Sequence, residues 1–139
     1  MLHQVREPKW LNFFVVQNVI MVMVGGGVGS ALRFLVSHYI GQSSNGFPAS
    51  TLVVNFAGCF VLGCISGYSI RANVSNSVLL LLGTGLCGGF TTMSAFSIEM
   101  LNLLRTGHVD TALLYVMATL IGCTALAFAG GLIGRNLTL

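Results

Sequence analysis

A few polar side chains in this sequence stand where polar groups are expensive. Asn55 interrupts an apolar run, and Thr51 precedes it by four residues, on the same face of a helix. A carboxamide there can hydrogen-bond a neighbouring helix. Alternatively, its NH2 can replace part of an anion's hydration shell without carrying charge. Glu99 is the only acid within an apolar stretch, and an intramembrane acid marks function by default. In a proton-coupled transporter it would carry the proton. In a channel it would be paired, with a backbone amide or with Arg33. Tyr115, Thr119 and Cys123 recur at steps of four, a stripe of two hydroxyl donors and one weak thiol donor. Ordinary packing contacts between helices are the plainer reading of that stripe.

Between these residues lies Gly88-Gly89-Phe90-Thr91-Thr92. Two glycines followed by two threonines make a poor helix core, so a break is expected there. A break at membrane depth frees N–H and C=O groups, which is tolerated only where they line a cavity or bind an ion. Freed carbonyls favour a hard cation such as Na⁺, and freed amides favour an anion. Met93, Ser94 and Phe96 follow directly. Met93 and Phe96 are three apart, and beside a break and a buried Asn they are candidates for a pore wall. The positive edge of a phenyl ring can meet an anion.

The elements that must position these residues are legible from composition. Of 139 residues, six are Lys or Arg, three are Asp or Glu, and 55% are hydrophobic. A soluble domain has roughly a quarter of its residues charged. Nine charges cannot clothe a soluble surface, so the apolar surface faces lipid. At about 20 residues per span, four helices fit this length and five do not. The apolar stretches place the spans at about 10–39, 48–70, 77–104 and 111–134, with the third broken near 88–92. All of residues 1–139 form a single transmembrane domain in this reading. Polar loops separate the spans at Gly41–Pro48, Arg71–Ser77 and Arg105–Asp110. The N-terminal apolar stretch is longer than the core of a cleavable signal.

Charge and cysteine usage exclude other classes. No Lys/Arg run exists, so nucleic acid is not an expected partner. The four cysteines (Cys59, Cys64, Cys87 and Cys123) all fall in apolar stretches with no CxxC pair, and no His completes a zinc set. They read as small buried thiols. Gly83-x-Gly85-x-x-Gly88 matches a dinucleotide fingerprint by letter only, without the preceding strand or the following acid. An enzyme is not expected. With four spans, Arg6, Lys9, Arg71 and Arg135 fall on one side and Arg33 and Arg105 on the other. That bias is weak, so the chain can insert in both orientations. Gly25/Gly29, Gly63/Gly67 and Gly130/Gly134 have the spacing of close helix contacts in membranes. Two or more copies are needed to shield the polar groups of so small a protomer. Residues 1–9 have no clear role beyond anchoring at the interface.

Taken together, the blocks Gly25–Arg33 (GGGVGSALR), Thr51–Gly58 (TLVVNFAG), Gly83–Glu99 (GTGLCGGFTTMSAFSIE) and the Tyr115/Thr119/Cys123 register resemble the bacterial fluoride channel family, the Fluc or CrcB proteins. The resemblance covers nearly the whole chain. It implies an antiparallel, dual-topology homodimer in the cell inner membrane, with two pores that pass F⁻ passively out of the cytoplasm and confer fluoride resistance. By position, Asn55 would be the pore asparagine and Phe96 the second pore phenylalanine. Thr51, Met93 and Ser94 would join them along the fluoride path. Tyr115, Thr119 and Cys123 would form its polar track, and Arg33 would be the vestibule arginine. Gly88 and Thr91 would offer backbone carbonyls to a structural Na⁺ at the dimer interface, and Glu99 would be structural. The chain departs from the family pattern TTFSTF. Met93 replaces the first pore phenylalanine, Ala95 lacks a hydroxyl, and Cys123 is a weaker donor than a hydroxyl.

Two other classes compete with this reading. A small proton-coupled multidrug exporter is also a four-span, dual-topology dimer, but it wants a carboxylate in mid-membrane on the first span, and residues 10–39 hold none. An accessory membrane subunit without transport activity would not explain Asn55, the expected break and the stripe together.

Overall fold

The computed structural model describes residues 9–41 and 46–137, with side chains from residue 13 onward. The anchoring expected of Arg6 and Lys9, and residues 42–45 of the first loop, lie outside the described residues and side chains. The described chain is all-helical. It comprises α1 (Lys9–Ile40), α2 (Ala49–Ser69), α3 (Asn76–Leu79), a π-helical segment (Leu80–Cys87), α4 (Gly88–Phe90), α5 (Met93–Arg105) and α6 (Val109–Asn136). Four stretches are long and apolar enough to cross a membrane: Phe13–Ile40, Ala49–Ser69, Asn76–Arg105 and Val109–Asn136. The protein is a multi-pass membrane protein. Phe13, Phe34 and Phe128 are each 69% exposed, the arrangement expected where lipid replaces water as solvent.

Local chemistry sets the ends of the helices. Gly41 takes a left-handed φ of 64° after α1, and its N–H donates to the Ser37 carbonyl at 3.2 Å. Gly107, at φ 78°, closes α5. The His108 N–H reaches back to the Leu103 carbonyl at 2.9 Å, and the Gly107 N–H reaches Leu104 at 3.2 Å. These paired bonds form a Schellman turn, which needs a residue without a Cβ penalty at its left-handed position. The chain reverses there into α6, whose first turn carries Asp110 and whose last turn carries Arg135, both favourable to the helix dipole.

Glycine decides which helices touch. α2 and α6 run parallel, and a Cβ at Gly63 or Gly67 would collide with the carbonyl of Ala127 or Gly131. In return, Gly130 and Gly134 lie against the carbonyls of Phe60 and Cys64. A second seam joins α1 to the third span. There Gly25 and Gly29 sit on the carbonyls of Leu81 and Leu86, and Gly89 sits on Gly26. All three GxxxG pairs therefore serve contacts within one bundle, where close backbone approach replaces the hydrophobic drive that lipid removes. The π-helical stretch was not anticipated from the sequence. It holds Gly83 and Gly85, and the Gly88 N–H bonds five residues back to the Gly83 carbonyl. π turns inside helices are frequent at functional sites.

Replacing Gly67 by Leu should destabilise the fold by at least about 1–3 kcal/mol, because a backbone carbonyl cannot move aside as a side chain can. Gly27, with nothing within 4 Å of a built Cβ, should accept Ala. Thermal unfolding of both variants in detergent, followed by size-exclusion chromatography, checks the contrast.

Candidate functional site

The third span is interrupted near the middle of its length. Thr91 (φ −72°, ψ 158°) and Thr92 (φ −150°, ψ 121°) are extended between α4 and α5. Several of the groups this frees are taken up within the protomer. The Thr91 N–H and its hydroxyl both donate to the Cys87 carbonyl, each at 2.9 Å. Arg33 Nε donates to the Gly89 carbonyl at 3.2 Å, and Ser30 Oγ reaches the same oxygen at 3.4 Å. The Thr92 hydroxyl caps α5 by accepting from the Ala95 N–H at 3.2 Å, and it lies 3.1 Å from Ser94 Oγ.

Asn55 is the clamp of this break. Its Oδ1 accepts from the Thr92 N–H at 2.8 Å, and its Nδ2 donates to the Thr92 carbonyl at 3.2 Å. The amide orientation follows from its partners, since a backbone N–H must meet the oxygen and a carbonyl must meet the nitrogen. One carboxamide thus satisfies both polar groups of one residue, as a neighbouring strand would. It keeps one further N–H uncommitted. Asn55 therefore makes the interhelical bond and retains a donor, so the two sequence readings are not exclusive.

Glu99 is held by hydroxyls. Thr51 Oγ1 donates to Oε1 and Tyr115 Oη to Oε2, both at 2.7 Å. Neither Arg33 nor a backbone amide is its partner among the described residues, because Arg33 is engaged at the break. Tyr115 is fully buried. Phe96 packs on its ring at 5.0 Å between centroids, and Phe47 meets it edge-on at 5.7 Å. Beyond Glu99, a cavity of about 710 Å³ opens toward the loops, lined by His38, Thr51, Glu99, Asn102 and His108 among others.

Thr119 stands one helical turn beyond Tyr115. It is 6% exposed, and its Oγ1 has no hydrogen-bond partner among the described residues. Several hydroxyls elsewhere in this chain turn back to their own backbone. Ser97 bonds Met93, Thr106 bonds Asn102, and Thr124 bonds Leu120. Thr119 does not, so a buried hydroxyl is left without a partner among the described residues, an arrangement that needs explaining.

Thr51, Glu99, Tyr115 and Phe96 thus meet within one protomer, with Asn55 one helical turn from Thr51 and Thr119 one turn from Tyr115. Met93 and Ser94 do not join them, since Met93 is 65% exposed on the outer surface and Ser94 is exposed beside it. Cys123 is half-buried farther along the stripe. Arg33 sits half-buried at the break and does not line the cavity. The Thr51–Glu99–Tyr115 bridge was not read from sequence. The signal for it was a hydroxyl on each of two neighbouring spans, but the pairing needed the helices' relative height.

The CrcB-like (camphor resistance) family model matches residues 20–131. The chain belongs to the CrcB family. Among its relatives is the fluoride-specific ion channel FluC of Gloeobacter violaceus, 42% identical over 125 residues, which cover 88% of this chain and all of that protein. The fluoride-specific ion channel FluC of Chlorobium phaeobacteroides is 44% identical over 75% of this chain and 82% of its own. That of Oceanobacillus iheyensis is 43% identical over 82% and 88%. The matched CrcB region contains the break, the clamp, Glu99 and the whole polar stripe.

Substituting Asn55 by Leu strands the Thr92 N–H and carbonyl away from water. Each unsatisfied group costs about 1–3 kcal/mol, so this variant should melt well below Asn55→Gln or the native chain in detergent. Equal melting temperatures for Asn55→Leu and the native chain would show that the clamp does not hold the break.

Proposed function

We propose that this chain is a fluoride-selective channel of the cell inner membrane that lets cytoplasmic F⁻ leave passively. The observation that carries the reading is the buried, unpartnered Thr119 hydroxyl, one helical turn from Tyr115, whose ring packs on Phe96. Fluoride is small and strongly hydrated, so a path must offer several donors in sequence while holding the ion weakly enough to release it. The free hydroxyl of Thr119 and the spare N–H of Asn55 are two such donors. Neither carries charge, so neither traps the ion. The Tyr115 and Thr51 hydroxyls are committed to Glu99, and their part is to fix its carboxyl and the wall around it. The Phe96 ring packs on Tyr115, and the positive edge of such a ring can meet an anion.

A second, antiparallel copy completes this reading. Thr92 caps α5 and leaves Met93 and Ser94 on the outside, where a partner protomer would bring them to the path. Gly88 is exposed as well. The Gly88 and Thr91 carbonyls receive no hydrogen bond from the described residues, although Gly89 and Thr92 beside them do. Two such oxygens suit a hard cation such as Na⁺, and two copies would supply four. Such an ion, when bound, would neutralise carbonyl dipoles at the break. The exporter reading has no support in the relatives' names. Its one acid, Glu99, is fixed by two hydroxyls on the third span.

Fluoride efflux from liposomes, followed with an F⁻ electrode, tests the proposal. Release should proceed without a proton gradient, fall about tenfold or more in Thr119→Val, and largely recover in Thr119→Ser, since one lost donor to a charged species is worth about 1.5–3 kcal/mol. Efflux that requires a pH gradient, or full flux in Thr119→Val, would overturn it. Exchange of Na⁺ for a bulky organic cation should also shift purified protein from dimer toward monomer in detergent. An unchanged dimer fraction would remove the cation site.

A further inference from the structure

The α2–α6 seam has a fixed register. Thr51 and Tyr115 share the Glu99 carboxyl, Gly63 lies on Ala127, and Gly67 lies on Gly131. Each pair is separated by the same 64 residues (115 less 51, 127 less 63, 131 less 67). Two parallel helices in this register face each other at every fourth residue, so their stripes form rungs. Thr51 meets Tyr115, Asn55 meets Thr119, and Cys59 meets Cys123. The last rung follows from the register alone, since Cys59 lies one helical turn before Gly63 and Cys123 one turn before Ala127. Both cysteines are free and half-buried. They lie between the donor rung of Asn55 and Thr119 and the tight glycine contact at Gly63, where the backbones cannot separate.

We propose that Cys59 and Cys123 form a two-coordinate site for a soft, thiophilic cation of the mercuric, silver or cuprous class, which pins α2 to α6 beside the donor ladder. Thiolates select soft metals. No group of three His, Cys, Asp or Glu side chains that could hold a metal converges among the described residues. That excludes a tetrahedral zinc site and leaves ions content with two sulfurs. With neutral mercuric chloride the step balances simply. Each thiol gives up its proton, two Hg–S bonds form, and two chlorides leave with the two protons. No oxidant is consumed. A bound ion at this rung would stand one helical turn from Thr119 and close the path there. That consequence rests on the channel reading, whereas the binding does not.

Two measurements on the full-length protein separate the two parts. Intact-mass spectrometry with a thiol count after denaturation, at one mercuric chloride per protomer, should show a single mercury and two of the four thiols withdrawn. Cys59→Ser and Cys123→Ser should each lose this two-thiol adduct, while Cys64→Ser and Cys87→Ser should keep it. Mercury spread over all four thiols of the native chain, or an adduct that follows Cys64 or Cys87, would overturn the site even if no variant folded. In liposomes, fluoride efflux should be blocked by mercuric chloride and restored by excess thiol. The half-blocking concentration should rise at least ~tenfold in Cys59→Ser, which keeps one weaker, singly bonded sulfur. Mercury bound at both sulfurs with undiminished efflux would remove the rung from the ion path and leave the site standing.

Discussion

Everything in this protein follows from one constraint: a backbone group released from its helix inside a membrane must find a partner within the protein. The break at Thr91–Thr92 releases several. Asn55 takes both polar groups of Thr92, Arg33 and Ser30 take the Gly89 carbonyl, and the Thr91 side chain takes Cys87. Remove this set and the third span would close into a continuous helix or expose unpaired groups to lipid. The break therefore belongs to the bundle as a whole, because its partners come from α1, α2 and the third span itself.

The same economy governs the polar interior. Glu99 is tolerated because two hydroxyls from two other helices meet its two oxygens. Tyr115 is tolerated because its hydroxyl is spent on that carboxyl while its ring packs between Phe96 and Phe47. Against this background the free Thr119 hydroxyl stands out. Among the described residues it is the buried side-chain oxygen that lacks a hydrogen-bond partner.

Glycine supplies the precision that these hydrogen bonds need. Bonds of 2.7 Å across three helices require helix positions fixed to a fraction of an ångström. The α2–α6 seam provides this by bringing backbone against backbone at Gly63, Gly67, Gly130 and Gly134. It also fixes the register that sets Asn55 opposite Thr119 and Cys59 opposite Cys123. An aliphatic seam of flexible side chains would allow the helices to slide, and the rungs would no longer meet.

The sequence by itself determined the solvent, the helices and the weak point. Nine charges in 139 residues require a lipid-facing surface, and the apolar stretches between polar loops give four spans. Gly-Gly-Phe-Thr-Thr marks the break because its residues are poor at the helix they interrupt. Asn55, Glu99 and the Tyr115/Thr119/Cys123 stripe were visible as polar residues in the wrong solvent. Only the tertiary structure decided their partners. Arg33 was read as one possible partner for Glu99, yet its guanidinium lies on the Gly89 carbonyl. Met93 and Phe96, three apart in sequence, part company at the protomer surface, the phenyl ring inside and the thioether outside. Helical spacing fixes which residues share a face, but not the height or rotation of one helix against the next. Those are set by where two backbones can approach, and that depends on residues distant in sequence meeting in space.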